Sequence, residues 1–542
     1  MKLCRKARES LPDDSRHLVK GAVILTVAAF VIKILSAVYR VPFQNIVGDT
    51  GFYIYQQVYP LYGIASVLAA SGFPVVISRL VAQNGAVKGQ GDLQRILQSV
   101  FVVLLFLGVS LFLLVFFGAQ TIAGWMGDPL LAPVVKVIAF PFLLLPFLSV
   151  WRGFFQGLGN MAPTAISQVT EQFIRVAAIL VISYFLVNEG HSLYDTGRGA
   201  WTGAIIGGVI GLLVLGLYVR KTGWHLFAMQ RLSFRELLST GKIVLVHGTA
   251  ICFSGLLLIL FQLVDSLNLY SLLVQAGLES EEAKALKGVF DRGQPLIQLG
   301  TVAATSLSLA LVPTVTAAWA QGNVEMLQKK VDTSLKVSMT IGLGAAVGLI
   351  NIIKPTNIML FKNADGTAAL AVLAAAIFFA SVIITLSGVL QGLGRMMAPA
   401  KYILFGTVCK YIGNLLLVPI WGLEGAAWAT VIGLLGASLL ILLRLKSFFS
   451  INSVLGHSLT RLAVAAVAMT VVLQGWLYIF DYLHLTGRLM SAVSALTGVV
   501  IGGFVFLIVT VRTNLFTEVE INHVPYFSKL KKLVGVGRRG QQ

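Results

Sequence analysis

The sequence has little charge, and acidic residues are its scarcer kind. Only 12% of its 542 residues are charged, and 41 Lys and Arg residues outnumber 22 Asp and Glu residues. A soluble globular domain usually carries about twice that charged fraction. Hydrophobic residues make up 57% of the chain. The composition therefore excludes an ordinary soluble protein and favours a membrane protein with many spans.

The sequence also lacks the motifs of enzymes. It has three cysteines, Cys4, Cys252 and Cys409, without the spacing of a metal or redox site. It contains no G-x-x-x-x-G-K, H-E-x-x-H or C-x-x-C motif. We therefore expect no enzymatic activity, no bound metal and no cofactor.

Long uncharged segments recur along the whole chain. Each reaches or exceeds the roughly 18 to 20 residues that a helix needs to cross a bilayer. Five further spans hold or adjoin a charge. The sequence predicts an all-α polytopic membrane protein with fourteen transmembrane helices. The predicted spans are 19–41, 50–78, 96–127, 132–153, 163–187, 199–219, 243–264, 293–324, 337–361, 366–394, 400–418, 425–443, 462–480 and 489–511.

The basic residues are concentrated in alternate loops. If the first span begins in the cytoplasm, the inside segments hold 29 of the 41 Lys and Arg residues and 9 of the 22 acids. This asymmetry is typical of cytoplasmic loops and predicts that both termini face the cytoplasm of a bacterial cell. The basic charge therefore sets the topology and meets anionic lipids, and no nucleic-acid partner is expected. A monomer in the cell membrane is predicted.

One phrase occurs twice, as FFQGLGNMAPT at 154–164 and as VLQGLGRMMAP at 389–399. In each copy, glycines release a helix and a proline begins the next one. The repeat predicts two six-helix bundles in the same orientation, with a cavity between them. The predicted segments are a tail (1–18), a first bundle (19–219), a linker (220–242), a second bundle (243–444), two extra helices (459–511) and a basic tail (512–542).

Other segments accompany the repeated turn, namely KGAVILTVAAFVIKILSAVYRVPFQNIVG near the start and ASGFPVVISRLVAQ at 70–83. With the six-plus-six-plus-two arrangement, they resemble the multidrug/oligosaccharidyl-lipid/polysaccharide exporter superfamily. The resemblance is to the branch of polysaccharide biosynthesis proteins similar to stage V sporulation protein B and the lipid II flippases. It covers about 18–512. It implies movement of undecaprenyl-pyrophosphate-linked sugars from the inner to the outer leaflet.

The resemblance also implies site residues. Lys33 stands where the lipid II flippases carry a cavity arginine, and Asp291–Arg292 matches the Asp-Arg pair of the family before the eighth span. The acid and the arginine that those flippases keep in the second span have no counterpart in 50–78, which is uncharged.

Ionisable side chains inside spans cost about 3 kcal/mol or more and usually face a cavity or a partner. Glu171 and Arg175 are spaced i, i+4 and are expected to form a structural pair. The cations that remain predict a positive cavity that suits a pyrophosphate. Arginines at span ends, including Arg152, are also typical of head-group anchors. The predicted substrate-binding residues are Lys33, Arg40, Arg79, Asp291, Arg292 and Lys410.

These features predict a flippase that moves a polyprenyl-pyrophosphate-linked saccharide by alternating access, with Na⁺, H⁺ or the membrane potential as the driving force. The first alternative is a cation-coupled exporter of drugs or metabolites with the same fold, for which dye efflux would require Glu171. The second is a scaffold that recruits enzymes of envelope synthesis and transports nothing.

Overall fold

The structure, a computed structural model, describes residues 14–85, 90–222, 232–450 and 452–516. Every regular element in these ranges is a helix. This confirms the predicted all-α class. Residues 1–13 of the predicted N-terminal tail and 517–542 of the predicted basic tail lie outside the described residues, as does 223–231 within the predicted linker.

The chain divides into two compact units, residues 1–291 (unit 1) and 292–542 (unit 2). The boundary between the units lies after Asp291, two helices further along the chain than the predicted linker at 220–242. It lies there because the long helix that begins at Phe234 packs against helices of unit 1. The predicted repeat boundary at the linker stays a prediction, because compactness groups helices by packing and not by sequence repeat.

Within the described residues, unit 1 contains eleven α-helices, one π-helix and one 3₁₀ helix. The helices of unit 1 are α1 (Asp14–Val38), α2 (Arg40–Val67), a π-helix (Leu68–Gly72), α3 (Phe73–Gly85), α4 (Gln90–Phe117), α5 (Ala119–Trp125), a 3₁₀ helix (Pro129–Leu131), α6 (Ala132–Ala139), α7 (Pro141–Gly157), α8 (Ala162–Asn188), α9 (Leu193–Thr222), α10 (Phe234–Gln275) and α11 (Ser280–Asp291).

Unit 2 has seven α-helices in its described residues. They are α12 (Gly293–Gly300), α13 (Val302–Ala320), α14 (Val324–Phe361), α15 (Thr367–Gly392), α16 (Met397–Lys446), α17 (Asn452–Tyr482) and α18 (Arg488–Arg512). A side-chain cap begins α14, where Asn323 Oδ1 accepts from Met326 N at 2.9 Å.

Within the described residues, twelve helices are long and apolar enough to cross a membrane, judged by length and composition. Two of them, Val23–Asn84 and Met397–Lys446, have 62 and 50 residues, which is more than a single crossing needs. Non-helical backbone at Gly48 (φ 70°) and Gly422 (φ 53°) interrupts these two. The chain is thus a multi-pass membrane protein, and the total of fourteen spans is compatible with the structure but stays a prediction.

The repeated QGLG phrase forms the same turn in both units. Gly159 (φ 78°) follows α7 and Gly394 (φ 77°) follows α15, in a backbone conformation that favours glycine. Asn160 N donates to Phe155 O at 3.0 Å, and Arg395 N donates to Leu390 O at 2.9 Å. These bonds close the last helical turn in the manner of a Schellman motif. The prediction that both phrases are helix-ending turns is confirmed.

Candidate functional site

Arg40 begins α2 and is fully buried in unit 1. Its guanidinium carbon lies 4.4 Å from the ring centre of Tyr59, a cation–π contact. The nearby Tyr39 side chain interacts with the same guanidinium, but within the described part of the chain none of the three side-chain nitrogens makes a hydrogen bond of good geometry to a protein group. A buried guanidinium with donors to spare is costly, and it suits a ligand that supplies acceptor oxygens.

Aromatic rings surround this arginine, because α2 turns three tyrosines towards α9. Tyr55 stacks on Trp201 with ring centres 4.3 Å apart and an interplanar angle of 6°. The hydroxyls of Tyr39 and Tyr55 lie 2.9 Å apart in a hydrogen bond. The members of this aromatic cluster are Tyr39, Tyr55, Tyr59, Tyr62 and Trp201.

Arg175 of α8 is the second cation at the aromatic cluster. Its Nη2 donates to Gln172 Oε1 at 2.7 Å, and its guanidinium carbon lies 4.8 Å from the ring centre of Tyr62. Gln172 in turn donates to Ser36 Oγ of α1 at 3.0 Å. Arg175 is therefore held by an amide and by rings.

The structure gives Glu171 a different partner from the predicted one. Its carboxylate accepts from Arg152 Nη2 of α7 at 2.5 Å, while Arg175 is engaged as described above. The i, i+4 spacing considers only residues of α8, whereas the structure brings Arg152 of the neighbouring helix α7 to Glu171. Arg152 is 1% exposed and also donates to Ser167 Oγ at 3.3 Å, so it is not placed as a head-group anchor.

A second group of buried charges lies where α11 packs against α2 and α10. Lys287 Nζ donates to both carboxylate oxygens of Asp291, at 2.7 and 2.6 Å. Asp265 of α10 and Arg40 of α2 act electrostatically on the same carboxyl. We call Arg40, Asp265, Lys287 and Asp291 the charge cluster, and each is at most 3% exposed.

The surroundings of Asp291 change its titration. Burial is the largest cause and raises the pKa of Asp291 from 3.8 to about 6. Lys287 and Arg40 act in the opposite direction, and the negative charge of Asp265 adds to the rise. Lys287 and Asp265 were missed at the sequence level, although the i, i+4 spacing of Lys287 and Asp291 is a signal for such a pair.

Arg292 follows Asp291 in the chain but belongs to unit 2. Its Nη1 donates to Asn363 Oδ1 at 2.5 Å and to Asn357 Oδ1 at 3.3 Å. Its guanidinium carbon lies 5.2 Å from the ring centre of Phe361. The Arg292 guanidinium therefore donates to one side-chain amide in α14 and to another in the turn that follows it.

The remaining predicted residues lie in different settings. Lys410 is 1% exposed in α16, and Lys33 is half-buried in α1. Arg79 is exposed on α3. Of the predicted site residues in unit 1, the structure thus brings Arg40 and Asp291 together. No group of three His, Cys, Asp or Glu residues that could hold a metal occurs among the described residues.

Unit 2 contains an apolar groove of about 190 Å³ between three helices. Thr340 and Gly344 of α14, Met469 of α17, and Gly503 and Phe506 of α18 are among its lining residues. A side chain added at Gly503 would meet no atom within 4 Å, so this glycine borders open space. The lining suits a hydrocarbon chain.

Residues 18–319 match the family model described as polysaccharide biosynthesis protein, and residues 251–416 match the MatE model. The chain is 43% identical to an uncharacterized membrane protein, YabM, of Bacillus subtilis (strain 168), over 98% of this chain and 99% of that protein. It is 24% identical to the lipid II flippase MurJ of the same organism, over 96% and 100%.

Among solved structures, the chain resembles one described as the lipid II flippase MurJ in an inward closed conformation. The TM-score is 0.67 at 16% identity, and the match covers 91% of this chain and 99% of that one. At this identity the likeness concerns the fold.

Proposed function

Because the chain belongs to the polysaccharide biosynthesis protein family, within the multidrug/oligosaccharidyl-lipid/polysaccharide exporter superfamily, we propose that it flips a polyprenyl-pyrophosphate-linked saccharide across the cell membrane. The proposed direction is from the inner to the outer leaflet. Its relatives include the lipid II flippase MurJ, and the solved structures that it resembles include a MATE family transporter, so the proposed function is translocation without covalent chemistry.

The observation that carries the proposal is Arg40. Its buried guanidinium makes no hydrogen bond of good geometry to the described protein groups. A pyrophosphate offers many acceptor oxygens, and arginine binds phosphate oxygens through two parallel hydrogen bonds. Burial among aromatic rings keeps water away and so strengthens this interaction. Arg40 would thus bind the anionic head group, with Asp291 and Lys287 nearby.

The apolar groove of unit 2 also fits the hydrocarbon part of such a lipid. A polyprenyl chain requires a lining without polar groups, since each buried methylene contributes about 0.8 kcal/mol. The Thr340 hydroxyl donates to the backbone carbonyl of Lys336 in the same helix, at 2.7 Å. The groove therefore keeps an apolar lining. We assign the groove to part of the lipid tail.

The membrane potential gives the proposed direction a driving force. In the predicted orientation the cytoplasm is the basic side of the chain and the electrically negative side of the membrane. Outward movement of an anionic head group is then favoured by about 2.3 kcal/mol per charge per 100 mV.

The test is reconstitution in liposomes that contain a fluorescent polyprenyl-pyrophosphate saccharide in both leaflets. A membrane-impermeant reductant bleaches the fluorophore in the outer leaflet, so flipping is measured as the further loss of fluorescence from the inner leaflet. We expect Arg40→Ala to reduce the flipping rate at least about tenfold, and Arg40→Lys to do so less, because lysine keeps the charge but not the two-pronged geometry. Arg198→Ala is the matched control, since Arg198 is an exposed arginine of unit 1 paired with Asp195.

A second pair of variants tests the groove. Gly503→Leu would fill open space in the groove, whereas Gly475→Leu on α17 also meets no atom within 4 Å but lies outside the lining. Only Gly503→Leu should slow flipping. Full activity of both Arg40→Ala and Gly503→Leu would refute the proposal. Dye efflux that depends on Glu171, without lipid flipping, would support the drug-exporter alternative.

A further inference from the structure

Two arginines of unit 2 contact the same aromatic ring near the end of α16. The guanidinium carbon of Arg395 lies 4.2 Å from the ring centre of Phe448, and that of Arg444 lies 5.1 Å from it. Arg395 is in the turn between α15 and α16, whereas Arg444 is in the last turn of α16. The ring therefore brings together two cations that are far apart in the sequence. We call Arg395 and Arg444 the arginine pair.

The position of Phe448 is fixed by the residues that follow it. Phe449 is buried, and Ser450 makes two hydrogen bonds with Gln328 of α14. Ser450 N donates to Gln328 Oε1 at 3.2 Å, and Gln328 Nε2 donates to Ser450 O at 3.3 Å. Because these contacts hold the segment after α16, Phe448 stays 38% exposed and presents its ring to both arginines.

The charges of the arginine pair have no acidic partner in the described part of the chain. Neither Arg395 nor Arg444 forms an ion pair with an Asp or Glu residue there. A cation–π contact uses the flat face of a guanidinium and leaves the N–H groups at its edge free to donate. Two like charges at one ring also repel each other. The arginine pair is therefore suited to an anion that offers acceptor oxygens to both guanidinium groups.

The first copy of the QGLG turn shows that the turn forms without an arginine. Asn160 stands in that copy where Arg395 stands in the second. The Asn160 side chain stays within its own turn, where Oδ1 accepts from Ala162 N at 3.3 Å. Arg395 instead extends to Phe448, although both turns close with the same backbone hydrogen bonds. The backbone of unit 2 therefore does not require the arginine pair.

The exposed residues of α16 place Arg444 at the edge of the bilayer. Leu439 and Leu443 are 49% and 63% exposed, as expected for side chains that face lipid tails. Arg444 follows Leu443 directly, and the exposed residues Lys446 and Ser447 come next. The change from apolar to polar residues marks the boundary between the hydrocarbon core and the head-group region. The phosphates of membrane lipids lie in this region.

We infer that the arginine pair binds the phosphate of an anionic phospholipid in the leaflet at this end of unit 2, which is the cytoplasmic leaflet in the predicted orientation. A phosphodiester has two free oxygens, so each guanidinium can donate to one of them. A zwitterionic phospholipid carries the same phosphate, but the arginine pair repels its ammonium group. The inference is independent of the proposed flippase function, because it concerns a lipid that the protein holds and does not transport.

Native mass spectrometry of the full chain measures the apparent Kd of phosphatidylglycerol, with phosphatidylcholine as the weaker, zwitterionic probe. Arg395→Gln and Arg444→Gln should each raise the Kd of phosphatidylglycerol about fivefold, the usual contribution of a basic residue near an anionic surface. The double variant should raise it by about tenfold at most, because both residues bind one phosphate and their effects do not add. Lys446→Gln is the matched control, since Lys446 is an exposed cation in the same last turn and contacts no ring among the described residues.

A diffuse surface charge without a site would give a different pattern. Lys446→Gln would then weaken binding as much as either arginine variant, and the two arginine effects would multiply to about 25-fold in the double variant. Either result would overturn the inference, as would unchanged binding in the double variant. Added inorganic phosphate tests for a soluble ligand. It should leave phosphatidylglycerol bound to the wild type, and displacement of the lipid would show that the arginine pair takes a free anion instead.

Discussion

The two units share a crossing between helices but differ in the charge they place there. In unit 1, Glu171 of α8 packs on Gly211 of α9, with its Cβ 3.1 Å from a Cβ added to that glycine. By the 235-residue offset of the QGLG turns, Gly406 of unit 2 corresponds to Glu171. A Cβ at Gly406 would stand 2.6 Å from Gly433 O and 2.9 Å from Ala437 Cβ, which lie beyond the interruption of α16 at Gly422.

The packing at this crossing is repeated in the two units, whereas the charged pair is not. Unit 1 uses the crossing to hold a carboxylate for Arg152, and unit 2 closes it with small residues alone. The units differ in polarity elsewhere as well. Unit 1 contains the buried Arg40 and the aromatic cluster, whereas unit 2 contains the apolar groove.

The largest loss of stability is expected when the ion pair between Arg152 and Glu171 in unit 1 is removed. Glu171→Ala leaves Arg152 buried without its carboxylate, and loss of one partner of a buried pair costs about 3 to 5 kcal/mol. We expect a clearly lower thermal unfolding temperature in detergent. Glu189→Ala, at an exposed carboxylate paired with His191, should change little.

A double variant sharpens this prediction. Arg152→Met combined with Glu171→Ala removes the stranded charge, so stability should largely recover. Equal losses in the single and double variants would show that the ion pair is not the cause.

A smaller loss of stability is expected from alanine at the first glycine of each QGLG turn, which is closely packed in both units. A Cβ at Gly157 would lie 2.4 Å from Val81 Cβ, and one at Gly392 would lie 2.8 Å from Val315 Cβ. Gly157→Ala and Gly392→Ala should therefore each destabilise by about 1 to 3 kcal/mol, the usual cost of overpacking. Thermal unfolding measures both.

Each unit offers a control glycine for this experiment. An added Cβ at Gly216 or Gly436 would make ordinary contacts of 3.4 Å, so alanine at these positions should be tolerated. A loss at Gly157 without a matching loss at Gly392 would contradict the shared geometry of the two turns.

The smallest expected effect concerns the aromatic cluster of unit 1. Tyr59→Leu removes the ring that lies 4.4 Å from the Arg40 guanidinium, and such contacts contribute about 1 kcal/mol. The apparent substrate affinity in the flipping assay should fall by about fivefold. Tyr184→Leu, at a tyrosine 54% exposed, serves as the control. A loss of flipping rate at saturating lipid instead would point to a different role for the ring.

Local features of the sequence predicted the helices and the two turns well. Long uncharged segments determine spans, and the glycine and proline positions of QGLG determine where helices end. Partners across helices were harder to predict. Tyr55 stacks on Trp201, 146 positions away, and no local period encodes that contact. Arg152 similarly takes Glu171 from α8, although spacing along α8 favours Arg175.

Lys287 and Asp265 were missed for a related reason. Residues 265–292 are polar enough to resemble an exposed loop, and only packing of α11 against α2 buries Lys287 and Asp291. The roles of Lys33 and Lys410 stay predictions, because burial alone does not identify a ligand.

Mass spectrometry of lipid that copurifies with the protein tests the central claim most directly. The wild type should retain a polyprenyl-pyrophosphate saccharide, and Arg40→Ala should retain at least about tenfold less, while Arg198→Ala retains the wild-type amount. Equal retention by Arg40→Ala, or a wild type that carries only bulk phospholipid, would contradict the account.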